Sequence, residues 1–333
     1  MEDEERDAPR ERPTRAWYRV AFVATAMLLV AIIVTLPFSL ASVVDDVLGP
    51  ATGKVYPLMQ DPRVGTAPTS SRLHLAVTAI DETQLRATIR VSGHHVCPAP
   101  CETRQRLLFV SVAPDDAEAE GLPPGATFLL PAAGGAVSES FHLPLRGFPI
   151  RYPFDSYDLT LAIALQHVLP DGRAETLSPD RTRRELSLSV QELLPSQIMS
   201  APVPVDPKSV HTESNPLEFA GVWGVSFERP RYLRVLTLML VVLTGAAATY
   251  SVFLRPLADL VVNAGALVVG IWGIRAILTP GNLYYLTAVD LALSTVILFL
   301  LGAITVKALM LSHDRGQLNI LRRPLRRRGV RGR

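Results

Sequence analysis

Three long apolar segments follow one another near the carboxyl end of the chain and constrain its architecture more than any other feature. They run from Tyr232 to Leu254, from Leu257 to Leu278 and from Tyr284 to Met310. Each is long enough to cross a bilayer, because a hydrocarbon core of about 30 Å needs about 20 apolar residues in a helix. The connections between them are too short to hold a domain. Residues 231–310 are therefore predicted to form a bundle of three transmembrane helices.

A fourth apolar segment lies near the amino terminus. The stretch from Val20 to Leu40 is almost wholly apolar and predicts a further transmembrane helix over residues 18–43. The alternative is a cleaved signal peptide, because Ser39-Leu40-Ala41 supplies small residues at the spacing that a signal peptidase needs. The apolar stretch exceeds the usual signal-peptide core of about 7–15 residues, which favours a retained anchor.

Arginine is concentrated at the two ends of the chain, although the net charge is only +2. The ends are an amino-terminal arm, residues 1–17, and a basic tail, residues 311–333. Basic segments beside a span are typical of the cytoplasmic side, so we expect a multi-pass protein of the cell membrane with both termini in the cytoplasm. Residues 44–230 then lie outside. An arginine-rich end can also bind nucleic acid, but its position beside the spans favours the membrane interpretation, and we expect no nucleic-acid partner.

Strand-length segments of alternating polarity divide residues 44–230. Leu73–Ala79 and Leu85–Val91 flank the turn Asp81-Glu82-Thr83 and predict a β-hairpin. Further strands are predicted at residues 107–112, 138–146, 158–165, 185–190 and 219–227. Because no helical pattern separates them, they predict an antiparallel β-sandwich with flanking linkers. The predicted fold class is an α+β membrane protein, with an exterior antiparallel β-sandwich and four transmembrane helices, one amino-terminal and three carboxyl-terminal.

The only two cysteines, Cys97 and Cys101, both fall in the predicted exterior domain. Disulfides persist in that environment, so the pair predicts a small disulfide loop. The alternative is a copper or zinc site made by His94, His95, Cys97 and Cys101. The spacing between the cysteines does not match a zinc knuckle, and adjacent histidines point to opposite faces of a strand. We therefore favour the disulfide and expect no cofactor.

The segment before the strand at 158–165 contains Pro153, Phe154, Asp155 and Tyr157. One interpretation is a structural corner, in which proline fixes φ, aspartate caps a turn and the aromatic rings cover the end of the sandwich. The other is a contact loop that presses on the membrane helices. The first explains these residues without a further role, and it is favoured.

Two ionisable residues lie within the apolar segments near the carboxyl end. Arg275 and Asp290 flank the turn Pro280-Gly281-Asn282, which makes the two segments antiparallel neighbours. A charge inside a membrane needs a partner, so the sequence predicts that these residues form an ion pair. The alternative is a functional role, in which such a pair gates an ion pathway or takes part in a proton relay.

Enzyme signatures are missing from the sequence. It contains no G-x-S-x-G, no H-E-x-x-H, no phosphate-binding G-x-x-x-x-G-K and no dinucleotide fingerprint after a strand. We therefore expect a protein that is not an enzyme. The remaining alternative is an envelope enzyme whose catalytic residues are scattered along the chain and form no recognisable motif.

The segments Tyr152–Tyr157 and Ile271–Arg275, with Asp290, resemble a family of uncharacterised, mostly bacterial membrane proteins defined by a domain of unknown function. The resemblance extends from the first span to Met310. It implies one amino-terminal span, an exterior β-rich domain with a Pro-Phe-Asp motif before a strand, and three clustered spans. It implies no catalytic residue.

A weaker similarity connects the chain to pentameric ligand-gated ion channels of the Cys-loop type. These channels also place a Pro-Phe-Asp-like motif in a β-sandwich that leads into a compact helix block. Three features differ here. The two cysteines do not bracket Pro153–Asp155, Leu257–Leu278 lacks a polar stripe, and no fourth span follows Met310 unless the amino-terminal span replaces it.

The sequence thus predicts an integral membrane protein that acts as a non-enzymatic binding or assembly module of the cell envelope. Its expected partners are the lipid bilayer and other envelope proteins. A subunit of an ion channel or transporter with a ligand-sensing β-sandwich is the alternative, and an envelope enzyme is the second.

Overall fold

The computed structural model divides into two compact units, a β-sheet unit up to Arg234 and a helical unit that contains Val235–Gly281 and Ala288–Arg333. The described residues are 53–59, 71–97, 104–113, 123–169, 171–207, 217–278 and 286–322, with single positions between these ranges and within residues 23–41.

The first sheet contains five strands in the order β1-β10-β2-β3-β6. They are β1 (Val55–Met59), β2 (Ser71–Asp81), β3 (Arg86–His95), β6 (Gly135–Pro144) and β10 (Leu186–Glu192). Strands β2 and β3 form the predicted hairpin, with Leu75 opposite Val91.

One pair in this sheet departs from the predicted antiparallel arrangement. Strands β2 and β10 run parallel, with Leu73 opposite Leu188. The prediction of a wholly antiparallel sandwich is wrong at this pair. The two strands are far apart in the chain, so no local turn or alternation pattern sets their relative direction.

The second sheet is built around the long strand β8 (Ser156–Val168). Strand β8 pairs with β13 (Gly221–Glu228) on one side and with β4 (Arg104–Val110) on the other. The remaining strands are β5 (Gly125–Leu129), β7 (Arg146–Gly147), β9 (Ala174–Thr176), β11 (Ile198–Met199) and β12 (Val203–Pro204). All pairs in this sheet are antiparallel.

The two sheets share one hydrophobic core. Alternate residues of β2, such as Leu73 and Leu75, belong to the same buried cluster as Leu159 and Ile163 of β8. Phe141 of the first sheet stacks on Phe109 of the second, with ring centroids 4.8 Å apart. Burial on these inner faces makes the β-sheet unit a sandwich.

A short helix interrupts the strand pattern. Helix α1 spans Pro179–Glu185, where the sequence predicts no helix. Its local chemistry favours a helix, because a proline begins it, Asp180 lies in its first turn and Arg183 and Arg184 lie in its last. The prediction missed it because the segment has no apolar periodicity.

Among the described residues of the helical unit, three helices are long and apolar enough to span a membrane. They are α2 (Arg231–Leu254), α3 (Leu257–Leu278) and α4 (Ala288–Arg322). Helix α3 has the predicted bounds, whereas α4 begins at Ala288 rather than Tyr284 and continues past Met310. The helices pack through Ala248 and Val252 of α2, Leu260 of α3 and Leu300 of α4.

Most of the apolar surface of these helices faces outward. Only 17–22 % of each candidate span is buried within the structure. The fourth predicted span, residues 18–43, lies outside the described residues apart from isolated positions, and so do most of the two basic ends.

Candidate functional site

The loop between β7 and β8 carries the Pro-Phe-Asp segment that the sequence singles out. We call residues Phe148–Asp155 the anchored loop. It contains a 3-10 turn at Pro149–Arg151 and a cis peptide bond between Tyr152 and Pro153. Because β7 and β8 pair directly, with Gly147 opposite Tyr157, the anchored loop closes a hairpin at one end of the second sheet.

Asp155 fixes the base of the anchored loop. Its side chain is fully buried, and its carboxylate accepts hydrogen bonds from Nε of Arg229 at 3.1 Å and 3.3 Å. A buried carboxylate without a partner is strongly unfavourable, so this contact sets the position of the loop. Tyr152, Pro153 and Tyr157 are also buried beside it.

Arg229 joins three separate parts of the β-sheet unit. It directly follows β13, its side chain is 1 % exposed, and it is ion-paired with both Asp155 and Glu82. Glu82 lies in the turn between β2 and β3, and its Oε1 also accepts a hydrogen bond from Nε2 of Gln197 at 3.0 Å. The guanidinium carbon lies 5.1 Å from the centroid of the Tyr152 ring, which adds a cation–π contact.

Glu82, Asp155 and Arg229 form what we call the Arg229 cluster, with two carboxylates for one guanidinium group. Burial is the largest influence on the pKa of Glu82 and raises it. The positive charge of Arg229 lowers this pKa and the negative charge of Asp155 raises it, and the net result is a pKa above the ordinary value. Burial acts to lower the pKa of Arg229, but the two carboxylates outweigh it and the pKa is raised. Arg229 therefore stays charged.

The sequence contains one signal that could have located Arg229. Val225 and Phe227 face the core of the sandwich, and Arg229 continues the same alternation two residues further on. The period of two in a strand therefore points Arg229 inward. Its partners could not be predicted, because the β2–β3 turn and the anchored loop meet it only in the folded sandwich.

The outward face of the anchored loop is apolar. Phe148, Ile150 and Phe154 are each more than half exposed, and the guanidinium group of Arg151 lies 4.9 Å from the centroid of the Phe148 ring. Exposed large apolar side chains on one short loop are more informative than single ones scattered over a surface. The loop thus combines a buried, ion-paired base with an exposed apolar face.

The histidines and cysteines are only partly described. His94 is exposed, whereas His95 is buried with Nδ1 2.7 Å from Oγ of Ser71, and burial lowers the pKa of His95. The two histidines therefore occupy opposite faces of β3. Within the described part of the chain, no group of three or more His, Cys, Asp or Glu residues is arranged to hold a metal ion. Cys97 is described and Cys101 is not, so the disulfide stays a prediction.

The structure brings Arg275 and Asp290 together in the helical unit. Nε of Arg275 lies 2.5 Å from Oδ1 of Asp290, and one terminal nitrogen lies 3.5 Å from Oδ2. Arg275 belongs to the last turn of α3 and Asp290 to the first turn of α4. The Asp290 side chain is 5 % exposed and the Arg275 side chain 42 % exposed, so the carboxylate is the more buried partner.

No protein-family model matches the sequence, and no curated protein matches it. The two resemblances based on the Pro-Phe-Asp segment therefore stay predictions.

We predict that Arg229→Gln destabilises the β-sheet unit by about 3–5 kcal/mol, because it leaves the buried carboxylate of Asp155 and the partly buried carboxylate of Glu82 without their cation. Glu82→Gln should cost much less, since Asp155 still neutralises Arg229. Thermal unfolding of the full-length protein in detergent measures both. Arg146→Gln is the matched control: its ion pair with Asp116 is more than half exposed on both sides, and its loss should cost less than about 1 kcal/mol. Equal losses for the three variants would contradict a special role for the buried pair.

A second prediction concerns the helical unit. Arg275→Gln and Asp290→Asn should each lower the thermal midpoint in detergent, because each strands one charge. The double variant should recover part of the loss, since it leaves neither charge unpaired. Strictly additive losses would mean that the two side chains do not depend on each other.

Proposed function

We propose that this chain is an integral membrane protein whose β-sandwich is a non-enzymatic binding or assembly module of the cell envelope. In this proposal the anchored loop is the contact surface for an apolar partner surface. The proposal rests on two features that occur together in this loop. Its base is buried and ion-paired, through Asp155 and Arg229. Its outward face is apolar and exposed, and is formed by Phe148, Ile150 and Phe154.

The physical argument is preorganisation. A loop that is already held in one conformation loses little conformational entropy when a partner binds, and aromatic side chains supply most of the contact energy. Burying three large apolar side chains away from water would favour association. Because these three side chains are more than half exposed, their removal should cost little stability unless something covers them, which makes the proposal testable.

The proposed topology follows the arginine-rich ends and the three apolar helices. The four spans are residues 18–43 and helices α2, α3 and α4, with both termini in the cytoplasm and residues 44–230 outside. The exterior location also favours the predicted disulfide between Cys97 and Cys101. The resemblance to the uncharacterised four-span family supports this arrangement.

A subunit of an ion channel is the second candidate. The Arg229 cluster favours it, because Arg229 stands two residues before α2 and ties the Pro-Phe-Asp segment and the β2–β3 turn to the strand that leads into that helix. If a ligand displaced either loop and the ion pairs stayed intact, Arg229 would move with that loop. The movement would then be passed to the first turn of α2, which begins two residues later. Sustained ion flux through liposomes that contain the purified protein would favour this candidate over the first.

The orientation is tested with an impermeant thiol reagent on intact cells. A cysteine introduced by Arg173→Cys, at a largely exposed position, should be labelled from outside. One introduced by Arg328→Cys in the tail should be labelled only after lysis. The unaltered protein is the control for reaction of the native cysteines. Labelling of the tail from outside would overturn the proposed topology.

The contact surface is tested with a triple variant, Phe148→Ser, Ile150→Ser and Phe154→Ser, in the full-length protein. Complexes extracted from native membranes in mild detergent should be smaller for this variant than for the unaltered protein, measured by light scattering after size separation. Val55→Ser, Leu129→Ser and Leu193→Ser together form the matched control, because these side chains are as exposed as those of the loop.

Two outcomes contradict the assembly proposal. Complexes of the same size for all three proteins would show that the anchored loop holds no partner. A large fall in the thermal midpoint of the purified triple variant, without a change in complex size, would show that the loop packs within its own chain.

A further inference from the structure

A cleft at the junction of α2 and α3 is lined by both polar and apolar side chains. It is about 340 Å³ in volume. Its lining residues are Tyr250, Ser251 and Arg255 from the end of α2 and the turn that follows, and Asn263, Ala266 and Leu267 from α3.

The position of this cleft along the two helices gives its depth in a membrane. Arg255 lies between two candidate spans, so in an inserted protein it lies at the level of the lipid headgroups. Ser251 is four residues before Arg255, about 6 Å along the helix axis, and Asn263 is six residues inside α3, about 9 Å from its start. The headgroup region is about 5–8 Å thick on each side of the hydrocarbon core. Ser251 and Asn263 therefore lie near the boundary between headgroup and hydrocarbon.

The polarity of the cleft changes with depth in the same order as that of a phospholipid. The guanidinium group of Arg255 is at the level of the phosphate, and its paired N–H groups suit phosphate oxygens. The side chains of Ser251 and Asn263 are donors at the level of the ester carbonyl groups. Ala266 and Leu267 offer apolar surface at the level of the acyl chains.

The charges near the cleft favour an anionic headgroup. Nζ of Lys307 on α4 donates a hydrogen bond to the backbone oxygen of Arg255 at 3.0 Å, which brings a second basic residue to the turn between α2 and α3. Asp259, in the first turn of α3, is the opposing carboxylate and does not line the cleft. Of the six residues that line the cleft, Arg255 is the charged one, and its positive charge suits an anionic headgroup.

We infer that the cleft between α2 and α3 binds the headgroup of an anionic phospholipid, with Arg255 on its phosphate and Ser251 and Asn263 on its ester groups. The inference rests on the membrane insertion proposed above, and it is independent of the role of the anchored loop. In the proposed orientation the site faces the cytoplasmic leaflet.

The test is lipid binding to the full-length protein in detergent, measured by native mass spectrometry. The probes are phosphatidylglycerol and phosphatidylcholine with identical acyl chains. We expect phosphatidylglycerol to bind more tightly. Arg255→Gln should weaken its binding about tenfold, because it removes a charge-assisted pair, and Asn263→Leu should weaken it by less. Arg231→Gln, at the opposite end of α2, is the matched control and should have no effect.

Asp259→Asn gives a prediction of opposite sign. It removes a carboxylate near Arg255 in the sequence, so it should strengthen binding of phosphatidylglycerol and leave binding of phosphatidylcholine unchanged. Inorganic phosphate and glycerol phosphate should not compete at concentrations equal to the lipid, because they lack the acyl chains that contact Ala266 and Leu267.

Several results would overturn the inference. These are equal affinity for the two lipids, unchanged phosphatidylglycerol binding by Arg255→Gln, and competition by glycerol phosphate at equal concentration. A change in oligomeric mass caused by Asn263→Leu without loss of lipid would show that the cleft is a protein contact instead. Failure of membrane insertion is detected separately, because the protein would then be released from membranes by carbonate.

Discussion

The ion pairs of the buried Arg229 hold together the carboxyl-terminal end of the β-sheet unit. One guanidinium group neutralises Asp155 in the anchored loop and Glu82 in the β2–β3 turn, and it does so at the residue that follows β13. None of these charges can be moved into the core or left there alone without a large cost. The two loops and the end of β13 are therefore held together as a unit.

This constraint holds the base of the anchored loop while its apolar side chains face outward. Its base is fixed by Asp155 and by the buried rings of Tyr152 and Tyr157, so its outward face does not need to pack on the sandwich to be ordered. The helical unit uses the same device on a smaller scale. There the pair of Arg275 and Asp290 joins the end of α3 to the start of α4, where two charged groups lie at the ends of apolar helices.

The sequence by itself determined those features that depend on local pattern. Alternating apolar residues predicted the β2–β3 hairpin and the strand at β8, because a strand with one face in a core must repeat every two residues. Uninterrupted apolar length predicted α2, α3 and α4, and the short turn between two of them predicted that Arg275 and Asp290 meet. A short helix without apolar periodicity, α1, left no such pattern and was missed.

Only the tertiary structure decided which distant segments meet. The parallel pairing of β2 with β10 and the meeting of Glu82, Asp155 and Arg229 join segments far apart in the chain. A sequence pattern indicates whether a residue faces inward, and the alternation through Val225 and Phe227 does so for Arg229. It does not indicate which residues Arg229 contacts there. That choice follows from packing two sheets on one core, because the fold alone brings the partner loops to the same end of the sandwich.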